Sequence, residues 1–312
     1  VVAGAGPFLL PVATRLLMAG AEVVGVVEAG DPRRYARSPG VLAGVRGKLR
    51  EAAGYATVLA RHRVPYHRGH AVVAAHGAAA VSAVDVARLG PDGAPLPATV
   101  RRLACDAVAV GFGFTPRLEL PLALGCATRL DIDGNLVLTA DVAGQTSAPA
   151  VYAAGEVTGV GGATLALVEG RLVGAVAAVE TGRPAPLGET DVTRLLGRRT
   201  AMRRFAALMH QVHAPPAGWT RWLTDATVVC RCEEVPVSRI RAAVTDFGAA
   251  DTRSVAALCR AGAGWCQGRV CGYATAVLTA EQRARPLAAA DLRVFGAGPP
   301  AHPVRLGDLA QE

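Results

Sequence analysis

Apolar runs broken by glycine open the chain. Val1 to Ala3 reads as a buried strand, Gly4 to Gly6 as a turn, and the next residues as a helix through Met18 with a stop at Gly20. A second apolar strand follows from Glu22 to Val27 and ends on Glu28, which completes a βαβ beginning. Helical spacing returns from about Val41 to Arg61. From Val64 to Val110 apolar and polar residues alternate, with turns at Gly77 and at Gly90 to Gly93 and a last apolar strand from Cys105 to Val110. Residues 1–110 therefore predict a Rossmann-like α/β domain.

The flexible run Gly111-Phe112-Gly113-Phe114-Thr115-Pro116 predicts a crossing into a second unit over 111–185. That unit has a tight turn at Asp133-Gly134-Asn135, a strand from Ala150 to Ala154 and a helix from about Ala163 to Thr181. Beyond Pro184 and Pro186 an arginine-rich helical stretch, roughly 189–213, closes at Pro215 and Pro216, so 186–225 reads as a helical linker. A small cysteine-bearing domain is expected over 226–285, with helical spacing at Val237 to Val244 and Asp251 to Arg260. The proline-containing tail, 286–312, is expected to wrap back over the surface.

With 312 residues, half of them apolar, the chain can bury more than one core. Its mean hydropathy of +0.31 is high, yet the long apolar stretch from Ala163 to Val179 is interrupted by Glu169 and Arg171, so no transmembrane helix is expected. The start at Val1, directly in a strand and without a basic, apolar leader, reads as a truncated rather than a processed N-terminus. A net charge of +8 comes from 33 basic residues of which Lys48 alone is lysine, and the arginines are scattered. Nucleic-acid binding, which needs clustered basic residues with interleaved aromatics, is not expected. Arg198, Arg199, Arg203 and Arg204 share a helix face, either a solvated surface or a docking patch for an acidic partner.

Seven cysteines, four of them in two tight pairs, point to a reducing, cytoplasmic setting with a metal or cluster rather than a disulfide framework. Cys105, Cys126 and Cys259 stand alone in apolar surroundings and read as small buried hydrophobes. The paired ones are Cys230-Arg231-Cys232 and, after thirty-three residues, Cys266-Gln267-Gly268-Arg269-Val270-Cys271. Four thiolates on two loops suit a [2Fe-2S] cluster, whose irons take soft anionic sulfur. Gly262, Gly264, Gly268 and Gly272 would let backbone approach its sulfides. A structural zinc, a redox disulfide at the second pair, or unligated cysteines remain the alternatives. The histidines form no triad and no metal spacing.

Two further motifs suggest nucleotides. Gly4 permits the tight turn and Gly6 the approach of a pyrophosphate to a helix N-terminus, with Glu28 placed where a ribose-binding acid would stand. Leu9 replaces the third glycine, so NAD(P) binding and a dinucleotide fold kept for architecture both stay open. In the second motif, Gly155-Glu156 ends a strand, and Gly162, Ala163 and Thr164 open the following helix. Its carboxylate could accept hydrogen bonds from hydroxyls, and the positive helix end could face an anionic group.

The run Val229-Cys230-Arg231-Cys232-Glu233-Glu234-Val235 with Trp265-Cys266-Gln267-Gly268-Arg269-Val270-Cys271-Gly272 resembles the domain of bacterioferritin-associated ferredoxin, a small helical [2Fe-2S] module. The stretch Pro149 to Val157 resembles the C-terminal flavin signature of flavoproteins with two dinucleotide domains, with Glu156 where that signature usually has Asp. In this order, and with the ending Pro299-Pro300-Ala301-His302-Pro303-Val304-Arg305-Leu306-Gly307, the motifs are similar to the alpha subunits of opine oxidase, hydrogen cyanide synthase and related amine or proline dehydrogenases. The resemblance implies an FAD-dependent oxidoreductase subunit lacking the family's first flavin-binding βαβ unit. It also implies a partner, a flavin-containing beta subunit that oxidises an amine or opine-like amino acid. Electrons would then pass through the cluster to an acceptor protein or quinone. It places the chain in the cytoplasm, or at the inner membrane through its partners. The rival readings are an NAD(P)H-dependent flavin reductase and a non-enzymatic ferredoxin-like docking module.

Overall fold

The computed structural model describes residues 1–296, so the tail motif at 299–307 lies outside the described residues. The chain divides into two compact units, Val1–Phe114 with Thr193–Trp222, and Thr115–Val192 with the residues from Leu223 onward.

In the first unit β1 (Val2–Gly4) leads through a glycine turn into α1 (Leu9–Met18) and then to β2 (Val26–Glu28). The short α2 (Pro39–Ala43) and long α3 (Arg46–Arg61) follow, then β3 (Tyr66–Arg68). The chain returns through β4 (His70–His76), β5 (Ala83–Arg88) and β6 (Arg101–Ala104) to β7 (Ala109–Gly111). Strands β3-β2-β1-β7 form a parallel sheet, with Val2 facing Val26 on one side and Ala109 on the other. Parallel strands buried on both faces are apolar without alternation, which is why Val1 to Ala3 and Val26 to Val27 carry no polar side chain. One side of the sheet packs Leu9, Ala13 and Leu17 of α1 against Val2, Val26 and Leu59. The other meets the antiparallel sheet β4-β5-β6 through Val1, Ala3, Val27, Val84 and Val86.

The helix expected over 41–61 is broken at Gly44 and Val45 into α2 and α3, and the strands expected at 22–27 and 105–110 are shorter and shifted. Beyond them the backbone runs through turns rather than the ladder.

The second unit begins with α4 (Glu119–Ala123) and the hairpin β8 (Thr128–Leu130) and β9 (Leu136–Leu138), whose turn contains Gly134 at φ 78°. The strand expected at 150–154 does not form. Ala150 has φ 58°, and only Tyr152 makes an isolated bridge, to Gln145. A left-handed residue directly after Pro149 cannot sit in a pleated ladder. A 3-10 turn over Gly155–Thr158 then leads to α5 (Ala163–Glu180). Helix α6 (Glu189–Val212) starts in the second unit and runs for most of its length in the first.

The cysteine-bearing module comprises the hairpin β10 (Val228–Cys230) and β11 (Val235–Pro236), then α7 (Val237–Thr245), α8 (Thr252–Cys259), α9 (Gly272–Gln282) and α10 (Ala289–Gly296). Asp251 caps α8 by accepting the Ser254 N–H at 2.8 Å, and Arg260 ends that helix in the left-handed region. Its core joins Val235, Val237, Ile240, Val255 and Leu278 to Cys230, Cys259 and Cys271. Among the described residues no helix is long and apolar enough to cross a membrane.

Candidate functional site

The two cysteine loops are brought together by this module. One loop is the β10–β11 turn, which carries Cys230 and Cys232. The other joins α8 to α9 and carries Cys266 and Cys271. Cys230 and Cys271 meet in one core, and Gly264 of the second loop lies against the Cβ of Cys232, so the two loops bring their cysteines side by side. Cys230 and Cys271 are buried, whereas Cys232 is exposed and Cys266 half-buried. No three His, Cys, Asp or Glu side chains converge as one ion would need, among the described residues. A mononuclear zinc wants three or four ligands at one point, while a binuclear cluster takes four thiolates over two irons.

The electrostatics of the two pairs differ. Burial, then the neighbouring Cys230, pushes the Cys271 thiol up to about 12. Burial also pushes the Cys266 thiol up, but the backbone N–H groups of Val270, Gly268 and Arg269 and the Cys232 thiol outweigh it and hold it below the ordinary thiol value. That loop is fixed from beneath by Arg269, which donates to Glu119 Oε1 at 2.7 Å and to the Cys266 carbonyl oxygen at 3.3 Å.

The glycines of the loop also make room for an aromatic ring. A Cβ at Gly262, Gly268 or Gly272 would collide with the ring of Phe295 from α10. Only Gly264 lies against a cysteine, the Cβ of Cys232. Sequence reasoning missed Phe295, because nothing in the pattern of α10 announces which loop its ring covers.

At the flavin-like motif Gly155 has φ 79°, its N–H donates to the buried Glu169 at 2.9 Å, and a Cβ there would meet Ala166 at 3.0 Å. Both features require glycine where the turn crosses α5. Glu156 Oε1 accepts the Gly162 N–H at 2.7 Å and the Gly161 N–H at 3.4 Å. Gly162, at φ 88°, has open space where a side chain would project, and Ala163 and Thr164 are exposed at the start of α5. A carboxylate and an accessible helix N-terminus fit the hydroxyls and the anionic face of a flavin.

The first-unit motif is arranged otherwise. Gly4, at φ 142°, leaves no room for a side chain against the Gly111 backbone, so the sheet itself demands it. Glu28 is fully buried. Its carboxylate accepts the Gly30 N–H at 2.9 Å, the Gly6 N–H at 3.3 Å on both oxygens, and the Tyr66 hydroxyl at 3.5 Å. His213 Nδ1 stands 3.4 Å from Oε1, in ion-pair range without the alignment of a hydrogen bond. Burial first, and the Glu28 charge second, push the Tyr35 and Tyr66 hydroxyls upward. The expected ribose-binding acid therefore spends its oxygens inside the protein.

The fold and these sites define an α/β protein with a parallel dinucleotide-type sheet, the architecture of FAD- and NAD-binding oxidoreductases. Among solved structures, an L-proline dehydrogenase from P. horikoshii shares the fold at a TM-score of 0.59, with 20% identity over 83% of this chain and 48% of its own. No family model matches the chain. In sequence, the chain is homologous to HcnB, one of the hydrogen cyanide synthase subunits, and to opine oxidase subunits. HcnB of Pseudomonas aeruginosa is 32% identical over 274 residues, 87% of this chain and 59% of its own length. The matching opine oxidase subunit of Rhizobium meliloti is 36% identical over 216 residues, 67% of this chain and 44% of its own. The chain thus spans little more than half the length of the curated relatives it matches.

Proposed function

We propose that this chain is the electron-transfer portion of an FAD-dependent oxidoreductase subunit, with a [2Fe-2S] cluster on Cys230, Cys232, Cys266 and Cys271. The observation that carries the reading is the meeting of the two cysteine loops: Cys230 and Cys271 share one core, and Gly264, two residues before Cys266, packs against Cys232. When bound, FAD supplies two-electron acceptance and the cluster one-electron transfer. Glu156 and the first turn of α5 at Gly162, Ala163 and Thr164 would hold the flavin. Arg269 and the N–H groups of residues 268–270 would hold the outer thiol pair and favour its anionic form. The exposed Cys232 end is the side an acceptor protein or quinone would approach.

The relatives are named as subunits, which supports a flavin-containing beta subunit that oxidises an amine or opine-like amino acid. Substrate choice then sits in that partner, and no general base is needed here. The burial of Glu28 speaks against the nicotinamide-dependent reductase reading.

The test is an anaerobic visible and electron-paramagnetic-resonance spectrum of the purified chain, with iron and sulfide assays, before and after dithionite. Two irons and two sulfides per chain with a reduced-cluster signal are expected. Zinc, or no metal after anaerobic reconstitution with iron and sulfide, overturns the cluster assignment.

A further inference from the structure

In the first unit the end of β2 is where a dinucleotide fold receives the adenosine ribose, and an acid there normally offers its oxygens to the ribose hydroxyls. We infer that in this protein that position is filled from within, by Val212 and His213 at the end of α6 held on Glu28, so that the unit takes no NAD(P) there.

Three observations carry this. An ionised carboxylate offers about four acceptor positions, and those of Glu28 face the N–H groups of Gly6 and Gly30, the Tyr66 hydroxyl and the His213 ring. The carboxylate has no exposed surface to offer a ribose. The space is also taken: a Cβ on Gly30 would meet the Val212 carbonyl oxygen at 2.8 Å and the His213 Cα at 3.2 Å. Lastly, the returning segment is anchored by stacking. The Tyr35 ring lies parallel to Phe205 with centroids 5.9 Å apart and tilts against His213 at 5.6 Å. A carboxylate buried this completely is tolerated only because those donors surround it. Its work is to hold residues 205–213 on the sheet.

The same contacts account for Gly30, a residue no dinucleotide pattern singles out. It is glycine because backbone from the far end of α6 crosses directly over it.

The test is amide hydrogen exchange on the full chain with and without NADH, NADPH and ADP-ribose at millimolar concentration, together with thermal melts. The amides of Gly6, Gly30, Val212 and His213 are expected to be protected and unchanged by any of the three, with no shift in Tm. Glu28→Gln and Gly30→Ala, which disturb the contact from opposite sides, are expected to raise exchange at Val212 and His213 at least tenfold while the amides of β4 and β5 keep theirs. Saturable nucleotide binding by the wild-type chain that alters exchange at Gly30 overturns the proposal. So does unchanged protection of Val212 and His213 in both variants. Loss of protection in β4 and β5 as well marks a variant unfolded throughout, and the wild-type nucleotide titration then decides alone.

Discussion

Two regions of this molecule gather polar side chains around glycine turns, and they do so in opposite ways. Around Glu28 a carboxylate accepts from two backbone N–H groups and a tyrosine, with a histidine in ion-pair range. Around the cysteines the neighbours of thiols include other thiols, Cys271 beside Cys230 and Cys266 beside Cys232. The first arrangement is closed to solvent. The second gathers four thiols, and burial raises the cost of ionising Cys271. A cation that makes thiolates favourable removes that cost. The contrast separates a carboxylate already met by donors from thiols that lie beside one another.

The largest effect that sharpens the contrast lies at the cysteines. Cys230→Ser or Cys271→Ser is expected to abolish the reduced-cluster signal and drop bound iron to near zero. Retention of full iron by both variants would remove the buried pair from the ligand set. Next is Phe295→Ala. Because that ring packs on Gly262, Gly268 and Gly272, the variant is expected to lose about 3 kcal/mol in urea unfolding and to release iron faster to a chelator.

On the other side of the comparison, Glu28→Gln turns an amide NH2 toward existing donors and is expected to cost about 2 kcal/mol while leaving iron content unchanged. A loss of iron equal to that of the cysteine variants would break the contrast.

A smaller effect follows from Asp291. Hydrogen bonding from Arg285, against the opposing effect of burial and with help from Ala288 and Thr252, holds its carboxyl below the usual carboxylate range. Since the folded value is depressed, its stabilisation is present above the unfolded value of about 3.9 and fades as pH falls through the folded one. The cysteine module is therefore expected to lose stability below about pH 4, and Asp291→Asn to flatten that limb of the profile in urea unfolding followed by circular dichroism. Smallest is the cap of α8: Asp251→Ala is expected to cost about 1 kcal/mol in the same unfolding assay, with no change in iron content.

Much of the secondary structure was legible in the sequence, though not evenly. Helices α5, α6, α7 and α8 lie within a residue or two of the expected spans, because apolar spacing over several turns is a strong local signal. The strand expected at 150–154 failed because alternation says nothing of whether a ladder partner exists, and Ala150 takes a left-handed conformation there. At the cysteines, spacing was enough to nominate all four. It could not say which would pair with which. At Glu28 the spacing marked a βαβ turn, but the residue that meets its carboxylate, His213, lies 185 positions away and carries no mark of that role.

The βαβ opening, the helical cysteine module and the choice of thiols all follow from local stretches of the chain, since periodicity, glycine turns and short spacings are local properties. Only tertiary packing decides that a side chain at Gly262, Gly268 or Gly272 would meet Phe295, that the two cysteine loops lie together, and that the end of α6 crosses over Glu28 and Gly30. Those outcomes depend on which distant segments pack together, and packing is settled by the whole core rather than by any local run of residues.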